Sequence, residues 1–366
     1  MALITMRKVL EEMAGKVEAL LGSGQLPPWN RPWKPVANGR PGLGQHWNPI
    51  TQRAYRGFNV SLLQLEASLH GFEDPRWMGY QQAAKKGWQV GKGEQATTIY
   101  YPVPVRLRRE DADKADEAPV SEPDGAREKD RKTGVILLMK GFKVFNAQQM
   151  DGVPSLVRDD ESQDAPVKIP QAELIDAIAK TMGVPIREGG DRAAYIPSVD
   201  RIIMPPAAAF PDPADREQTR LHELTHATGH GTRLNRDLSG PFGSAKYAQE
   251  EVTAEFGSWL LAQRLNIPYL AGNPEMTEEQ TATYIAGWTR ALKGDEGRKM
   301  YAQAIGNAMK VSRYMENILE MAVSQGLIAQ DVATALEIGK RHEQDEPSAP
   351  DGRPEEEPTL SMAMSP

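Results

Sequence analysis

The chain has 366 residues, 40% of them hydrophobic and 25% charged, with a net charge of -7 and no cysteine. The length suggests two domains of ordinary size, and the missing thiols exclude disulfides and thiolate metal sites, so any metal must be held by histidine and carboxylate. No apolar run approaches the roughly 18 residues that a membrane span needs, which points to a cytoplasmic protein with no membrane partner.

The N-terminal segment MALITMRKVLEEMAGKVEALLGSG reads as an amphipathic helix ended by Gly22 and Gly24, and its Glu11, Glu12 and Glu18 argue against a secretory signal. Beyond it, Trp29, Trp33, Trp47, Tyr55, Phe58, Trp77, Tyr80 and Trp88 alternate with Arg31, Lys34, Arg53, Arg56, Arg76, Lys85, Lys86 and Lys92. Aromatic faces stack on bases and cations pair with phosphates, so this mixture suits a single strand of nucleic acid read with little sequence preference; the competing reading is that most of these rings are core. Residues 1–108 hold 14 Lys or Arg against 7 Asp or Glu, a balance of +7, which leaves -14 for the rest of the chain. A basic N-terminal part on an acidic protein is the asymmetry expected where one region meets a polyanion. Gly87, Gly91, Lys92 and Gly93 resemble a phosphate loop, but Gly93 stands where Ser or Thr should be, so GWQVGKGE reads as a turn entering a strand.

TTIYYPVPV (97–105) and VILLMKGFKVFN (135–146) are rich in β-formers and read as two strands of one sheet. Between them the charged segment 109–133 is too poor in apolar residues to fold. The first domain therefore covers residues 1–150 and a linker 151–169, with a second domain over 170–340 and an acidic disordered tail over 341–366. In the second domain QAELIDAIAKTMG is a helix, AAYI and RIIM form a hairpin, and a helix begins near Asp212–Asp215. Further helices are expected from about Ser244 to Leu265, with the apolar stripe Val252, Phe256, Trp259 and Leu260, and over 277–293 and 296–338. The fold class is α+β.

The string LHELTHATGH contains an HExxH motif in His222, Glu223 and His226. Four residues apart on a helix, the two imidazoles share a face and can bind one ion, with the glutamate beside it as general base. Hydrolysis needs a third protein ligand and a fourth position for water. A metzincin would place a histidine where this chain has Thr232, and His230 lies roughly 12 Å along the axis from His222 if the helix continues. In YAQEEVTAEFGSWL, Glu251 fits the third ligand of a gluzincin and Glu255 a carboxylate that orients the first histidine, with Glu250 an open alternative to Glu251. Zn²⁺ is the expected cofactor, with another divalent ion such as Mn²⁺ as the alternative.

The segment from Trp29 through NPITQRAYRGFNVSLL, then PRWMGYQQAAKKGWQVGKGEQATTIYY and FKVFNAQQMDG, resembles the N-terminal single-stranded-DNA-binding domain of the ArdC antirestriction proteins. HELTHATGHGTRLNR, YAQEEVTAEFGSWLL and TATYIAGWTRALK resemble the zincin-like metallopeptidase domain that follows it in that family. The resemblance implies protection of a mobile element's incoming DNA from host restriction, a metal at His222, His226 and Glu251, and catalysis by Glu223. It also implies a DNA surface on the first domain, for which Trp29, Arg31, Trp33, Lys34, Arg53, Tyr55, Arg56, Asn59, Arg76, Trp77 and Lys92 are the expected contacts. Two readings follow: a DNA-bound peptidase that cleaves a host protein, or a non-catalytic shield of single-stranded DNA with a structural metal. A primase-associated accessory role is a related alternative.

Overall fold

A computed structural model describes residues 3–23, 46–55, 57–106, 135–155, 170–210, 212–265, 267, 294–336 and 338. The insert 109–133, the helix expected over 277–293 and the acidic tail lie outside the described residues, as does most of the expected linker.

The chain opens on a short strand, β1 (Leu3–Ile4), rather than in the helix expected there, because Leu3 and Ile4 pair with Lys140 and Met139. Helix α1 (Met6–Gly22) follows, its first turn capped by the Thr5 hydroxyl, which accepts from the Lys8 amide. Then come β2 (Trp47–Asn48), β3 (Arg53–Ala54), α2 (Phe58–His70), β4 (Trp77–Met78), α3 (Tyr80–Lys85), β5 (Gln89–Val90), β6 (Thr97–Arg106), β7 (Val135–Asn146) and β8 (Met150–Asp151). β6 and β7 pair antiparallel from Thr97 opposite Val144 to Arg106 opposite Val135, so the two strands predicted on either side of the insert are neighbours. β7 also takes β1 and β4, whereas β6 has β7 as its one partner among the described residues.

Tyr100, Pro102 and Pro104 share one parity in β6, and their main-chain polar groups face the outer edge, where a proline's missing N–H breaks no ladder bond. The Asn59 amide closes that edge at Tyr100, donating to its carbonyl at 2.9 Å and accepting from its N–H at 2.8 Å.

The second domain contains α4 (Gln171–Met182), β9 (Ile186–Glu188), β10 (Ala194–Ile196), β11 (Arg201–Met204), α5 (Pro213–Ala227), α6 (Ala245–Arg264), α7 (Gly294–Ser324) and α8 (Gln330–Ala335). The predicted hairpin is β10 and β11, with β9 added parallel to β11. The single helix expected over 296–338 is two, since Gly326 at φ 69° turns the chain between α7 and α8.

One hydrophobic core runs through both domains. Val9, Met13, Val17, Leu20 and Leu21 of α1 and Leu62 and Leu65 of α2 join Ile175, Ile178, Leu224, Phe256, Trp259 and the buried face of α7. α1 lies against α7, with Leu10 closing on Gly306 and Arg298 paired to Glu18 at 3.0 Å. The apolar stripe predicted for α6 is buried throughout.

A smaller core of Tyr55, Leu63, Trp77, Ile99 and Val144 sits within the first domain. It encloses His46, whose Nδ1 accepts from Trp77 Nε1 at 3.0 Å while Nε2 faces Gln64 Oε1 at 3.0 Å, an arrangement that requires a neutral ring. Burial outweighs the Gln64 hydrogen bond and brings its pKa down from 6.5 to about 4. An unfolded chain therefore binds a proton at His46 that the folded chain refuses, so stability is full above pH 6.5 and declines as the pH falls toward 4. The expected loss is about 3 kcal/mol. Urea denaturation of wild type and His46→Gln across that window should show a shallower pH slope in the variant.

Candidate functional site

Asp212 caps α5 by accepting from the Ala214 amide at 2.7 Å, and Pro213 takes the first helical position, where no N–H is needed. The helix ends at Ala227, and the chain folds back in a compact turn in which Arg236 N–H reaches Gly229 O. A Cβ at Gly229 would lie 2.8 Å from Leu238, 3.0 Å from the His226 carbonyl oxygen and 3.1 Å from the Arg236 guanidinium, so a larger residue would displace the groups that make this return. α6 starts under the Ser244 cap and packs against α5.

The packing brings three side chains to one point. His222 Nε2 and His226 Nε2 are 3.1 Å apart, and the Glu251 carboxylate oxygens lie 3.7 Å from the first and 3.5 Å from the second. Ligand atoms held about 2.0–2.1 Å from a tetrahedral ion stand about 3.3 Å from one another, so the donor set fits a small divalent cation. Among the described residues it is the one group of three such side chains that converges in this way. Burial opposes a charge on His222, but the hydrogen bond to Glu251 and the charges of Glu255, Glu223 and Glu251 prevail and push its pKa up to about 9. Burial likewise opposes ionisation of Glu251, and the same histidines overcome it and hold its carboxyl below the usual range.

Glu223 is buried and accepts from the Tyr195 amide of β10 at 2.6 Å. The Tyr195 hydroxyl donates to Asp200 at 2.8 Å, and Arg233 binds Asp200, the Tyr195 hydroxyl and the Ala227 carbonyl. Strand, metal helix and returning loop are thereby tied together around the glutamate. Sequence reasoning missed Tyr195, Asp200 and Arg233, which no local motif connects.

Of the two adjacent acids, Glu250 is taken by other partners. Its carboxylate meets His226 Nδ1 at 3.1 Å and the Arg236 guanidinium at 2.7 and 3.0 Å. Arg236 neutralises Glu250 and leaves it to orient His226. Glu255 lies near enough to His222 to raise its proton affinity. His230 is past the helix end, hydrogen-bonded to the Thr232 hydroxyl at 2.8 Å, away from the three converging groups.

The expected DNA contacts divide. Trp29, Arg31, Trp33, Lys34 and Arg56 lie outside the described residues. Trp77 has no exposed surface, and Tyr55 is buried with its hydroxyl on the Trp77 carbonyl, so neither ring offers a face to a base. Asn59 is committed to the edge of β6, and Arg76 is buried in a bidentate pair with Asp74. These four belong to the framework of the domain and not to its surface. Arg53 and Lys92 are exposed, as are Lys85, Lys86 and the half-exposed ring of Tyr80.

Comparison with known proteins defines the class. Residues 7–145 match the N-terminal domain of anti-restriction factor ArdC, and residues 173–305 match the zincin-like metallopeptidases. The chain is similar to the crystal structures of a plasmid-encoded antirestriction ArdC protein, which cover 85% of this chain and 97% of that one. The TM-score is 0.58 at 29% identity for the metal-free form and 0.55 at 28% for the Mn(II)-bound form. It is 34% identical over 271 residues to the uncharacterized protein y4eC of Sinorhizobium fredii, covering 80% of that protein. A protein named DNA primase TraC from Escherichia coli is 35% identical over 353 residues, although the chain spans only 30% of its length. The molecule is thus a two-domain α+β protein with a zincin-like domain at its C-terminal side. It belongs to the ArdC-like antirestriction family. The zincin-like domain and the Mn(II)-bound relative both point to a divalent metal.

Arg236→Ala would leave the largely enclosed Glu250 carboxylate with His226 but without its cation, and a cost of about 2 to 3 kcal/mol is expected. Urea denaturation of the metal-free chain measures it.

Proposed function

We propose that this protein is a zinc-dependent peptidase carried on a single-stranded-DNA-binding domain, and that it acts in the cytoplasm to protect the incoming DNA of a mobile element from restriction. The observation that carries the reading is the convergence of His222, His226 and Glu251 beside the buried Glu223. Zinc is proposed, with manganese as the alternative, because two imidazoles and one carboxylate leave a position for water. When bound, the ion supplies a Lewis acid and a water of lowered pKa. Glu223 takes the proton, and the Tyr195 N–H holds one of its oxygens so that the other is free to do so. A host protein is proposed as the substrate, since an ion held by these three side chains would polarise a peptide carbonyl.

Exposed Arg53, Lys85, Lys86 and Lys92 with the Tyr80 ring support single-strand binding by the first domain, cations serving phosphates and the ring a base. A second reading, in which the protein shields or helps to process single-stranded DNA without proteolysis, is favoured by the similarity to part of a protein named a primase.

Glu223→Gln should lose about a hundredfold or more of the peptidase rate and keep its metal. Restriction of incoming DNA in recipients carrying wild type, Glu223→Gln, or alanine at Arg53, Lys85, Lys86 and Lys92 separates the readings. Full protection by Glu223→Gln would move the function to DNA shielding, and full protection by the basic-surface variant would detach it from DNA binding.

Metal uptake should also depend on pH. The metal-free chain holds His222 protonated up to about pH 9, and an ion must displace that proton. Affinity should therefore rise about tenfold per pH unit from neutrality and level off near pH 9. A chelator competition across that range, with a pH indicator to count released protons, checks it.

A further inference from the structure

Two arginines stand three residues apart in the loop that follows the metal helix, and they serve different parts of the site. Arg236 goes to Glu250 and so to His226. Arg233 goes to the turn between β10 and β11, and its side chain is only 6% exposed. Its Nε donates at 2.7 Å to the carbonyl of Ala227, about one helical turn beyond Glu223. Its Nη1 donates to Asp200 Oδ2 at 3.0 Å, and Nη2 to Asp200 Oδ1 and, at 3.3 Å, to the Tyr195 hydroxyl. Asp200 receives this fork with its backbone at φ 46°, in the left-handed region that aspartate tolerates without preferring it. The Tyr195 hydroxyl donates to the same carboxylate at 2.8 Å, and the Tyr195 amide donates to Glu223 Oε2 at 2.6 Å. The contacts close a ring that runs from Glu223 along α5 to Ala227, across Arg233 to Asp200 and Tyr195, and back to Glu223.

We propose that Arg233 is a positioning residue for Glu223, acting through Asp200 and Tyr195 to hold the strand amide that fixes one oxygen of the glutamate. The inference rests on the reading of Glu223 as the base and adds what sets its orientation. The Tyr195 amide is the hydrogen-bond donor to the Glu223 carboxylate, and a carboxylate so held follows that donor about its last torsion. The second attachment, at Arg233, fixes the strand against the last turns of α5, from which Glu223 projects. A lysine would supply the charge but not the planar fork that meets a carboxylate with two donors and a carbonyl with a third. Arg236 and Arg233 thus divide the site, one orienting a histidine and the other the glutamate.

The test follows hydrogen–deuterium exchange of the metal-free full chain at single-amide resolution, in wild type, Glu223→Ala, Arg233→Met and Arg233→Met/Asp200→Asn. Glu223→Ala removes the acceptor of the Tyr195 amide, which should then exchange about tenfold faster or more. Arg233→Met should accelerate the same amide by a similar factor, while the Ile202 amide, which donates to the Pro185 carbonyl at 2.9 Å on the β9 side of the sheet, keeps its wild-type rate. The double variant leaves no unpaired charge, so its melting temperature should approach that of wild type, yet rapid exchange at Tyr195 should persist. Mn(II) affinity, read from the free-ion electron paramagnetic resonance signal, should stay within about twofold of wild type in both Arg233 variants, whereas Arg236→Ala should lose about tenfold or more. Slow exchange at Tyr195 in Glu223→Ala or in Arg233→Met would overturn the inference and leave the peptidase reading standing. Equal acceleration at Ile202, or a return of slow exchange in the double variant, would assign the effect to stability and overturn it too. So would a loss of Mn(II) affinity in Arg233→Met equal to that in Arg236→Ala. Failure of the wild-type chain to take up Mn(II) would remove both the inference and the reading beneath it.

Discussion

The convergence of His222, His226 and Glu251 depends on how closely α5 and α6 approach. At the crossing, Gly257 faces Thr225, and a Cβ on the glycine would lie 2.8 Å from the Thr225 methyl and 3.4 Å from Val311 of α7. A side chain there would force Thr225 or α6 to shift, and a shift of α6 would carry Glu250 and Glu251, less than two turns nearer its start, away from His222 and His226. The close approach creates a second requirement. It leaves Glu250 only 12% exposed beside His226, and a largely enclosed carboxylate is costly without a cation. The loop after α5 meets that requirement by folding back at Gly229 and delivering Arg236. Helix crossing, loop return and ligand orientation are therefore consequences of one contact.

The same packing sets how the first domain meets the second. α7 lies on α6, α4 and α1, so the helix that backs the metal centre also carries the N-terminal helix of the other domain. α1 buries Val9, Met13, Val17, Leu20 and Leu21 in the common core and also touches α2 and β7 of its own domain. The two domains are thus held by continuous apolar packing, which is stiffer than a linker. The zincin-like domain and the N-terminal domain therefore keep a defined relation to one another.

Local signals were legible where the cause is local. The cap at Asp212, the stop at Gly183, the stripe of α6 and the two strands β6 and β7 all follow from side-chain period, residue type and end chemistry within a few residues. The aromatic and basic residues of the first domain were not legible in the same way. Composition counts a tryptophan or an arginine without saying which side of a sheet it faces, and a ring that suits base stacking is equally suited to a core. Trp77 and Tyr55 went to the core, and Arg76 went to Asp74, because each had a partner distant in the chain or masked by its own neighbours.

By itself the sequence determined that a helix would present His222 and His226 together with Glu223 beside them, since a four-residue step on a helix fixes that face whatever surrounds it. It also determined that Glu251 was among the available third groups. Only the tertiary structure decided the division of labour between Glu250 and Glu251, because adjacent residues on a helix point about 100° apart and their partners come from elsewhere. Arg236 arrives from a returning loop, Tyr195 from an edge strand, and the space for both from a glycine at a helix crossing. Those relations depend on distances between segments far apart in the chain, which residue order alone does not contain.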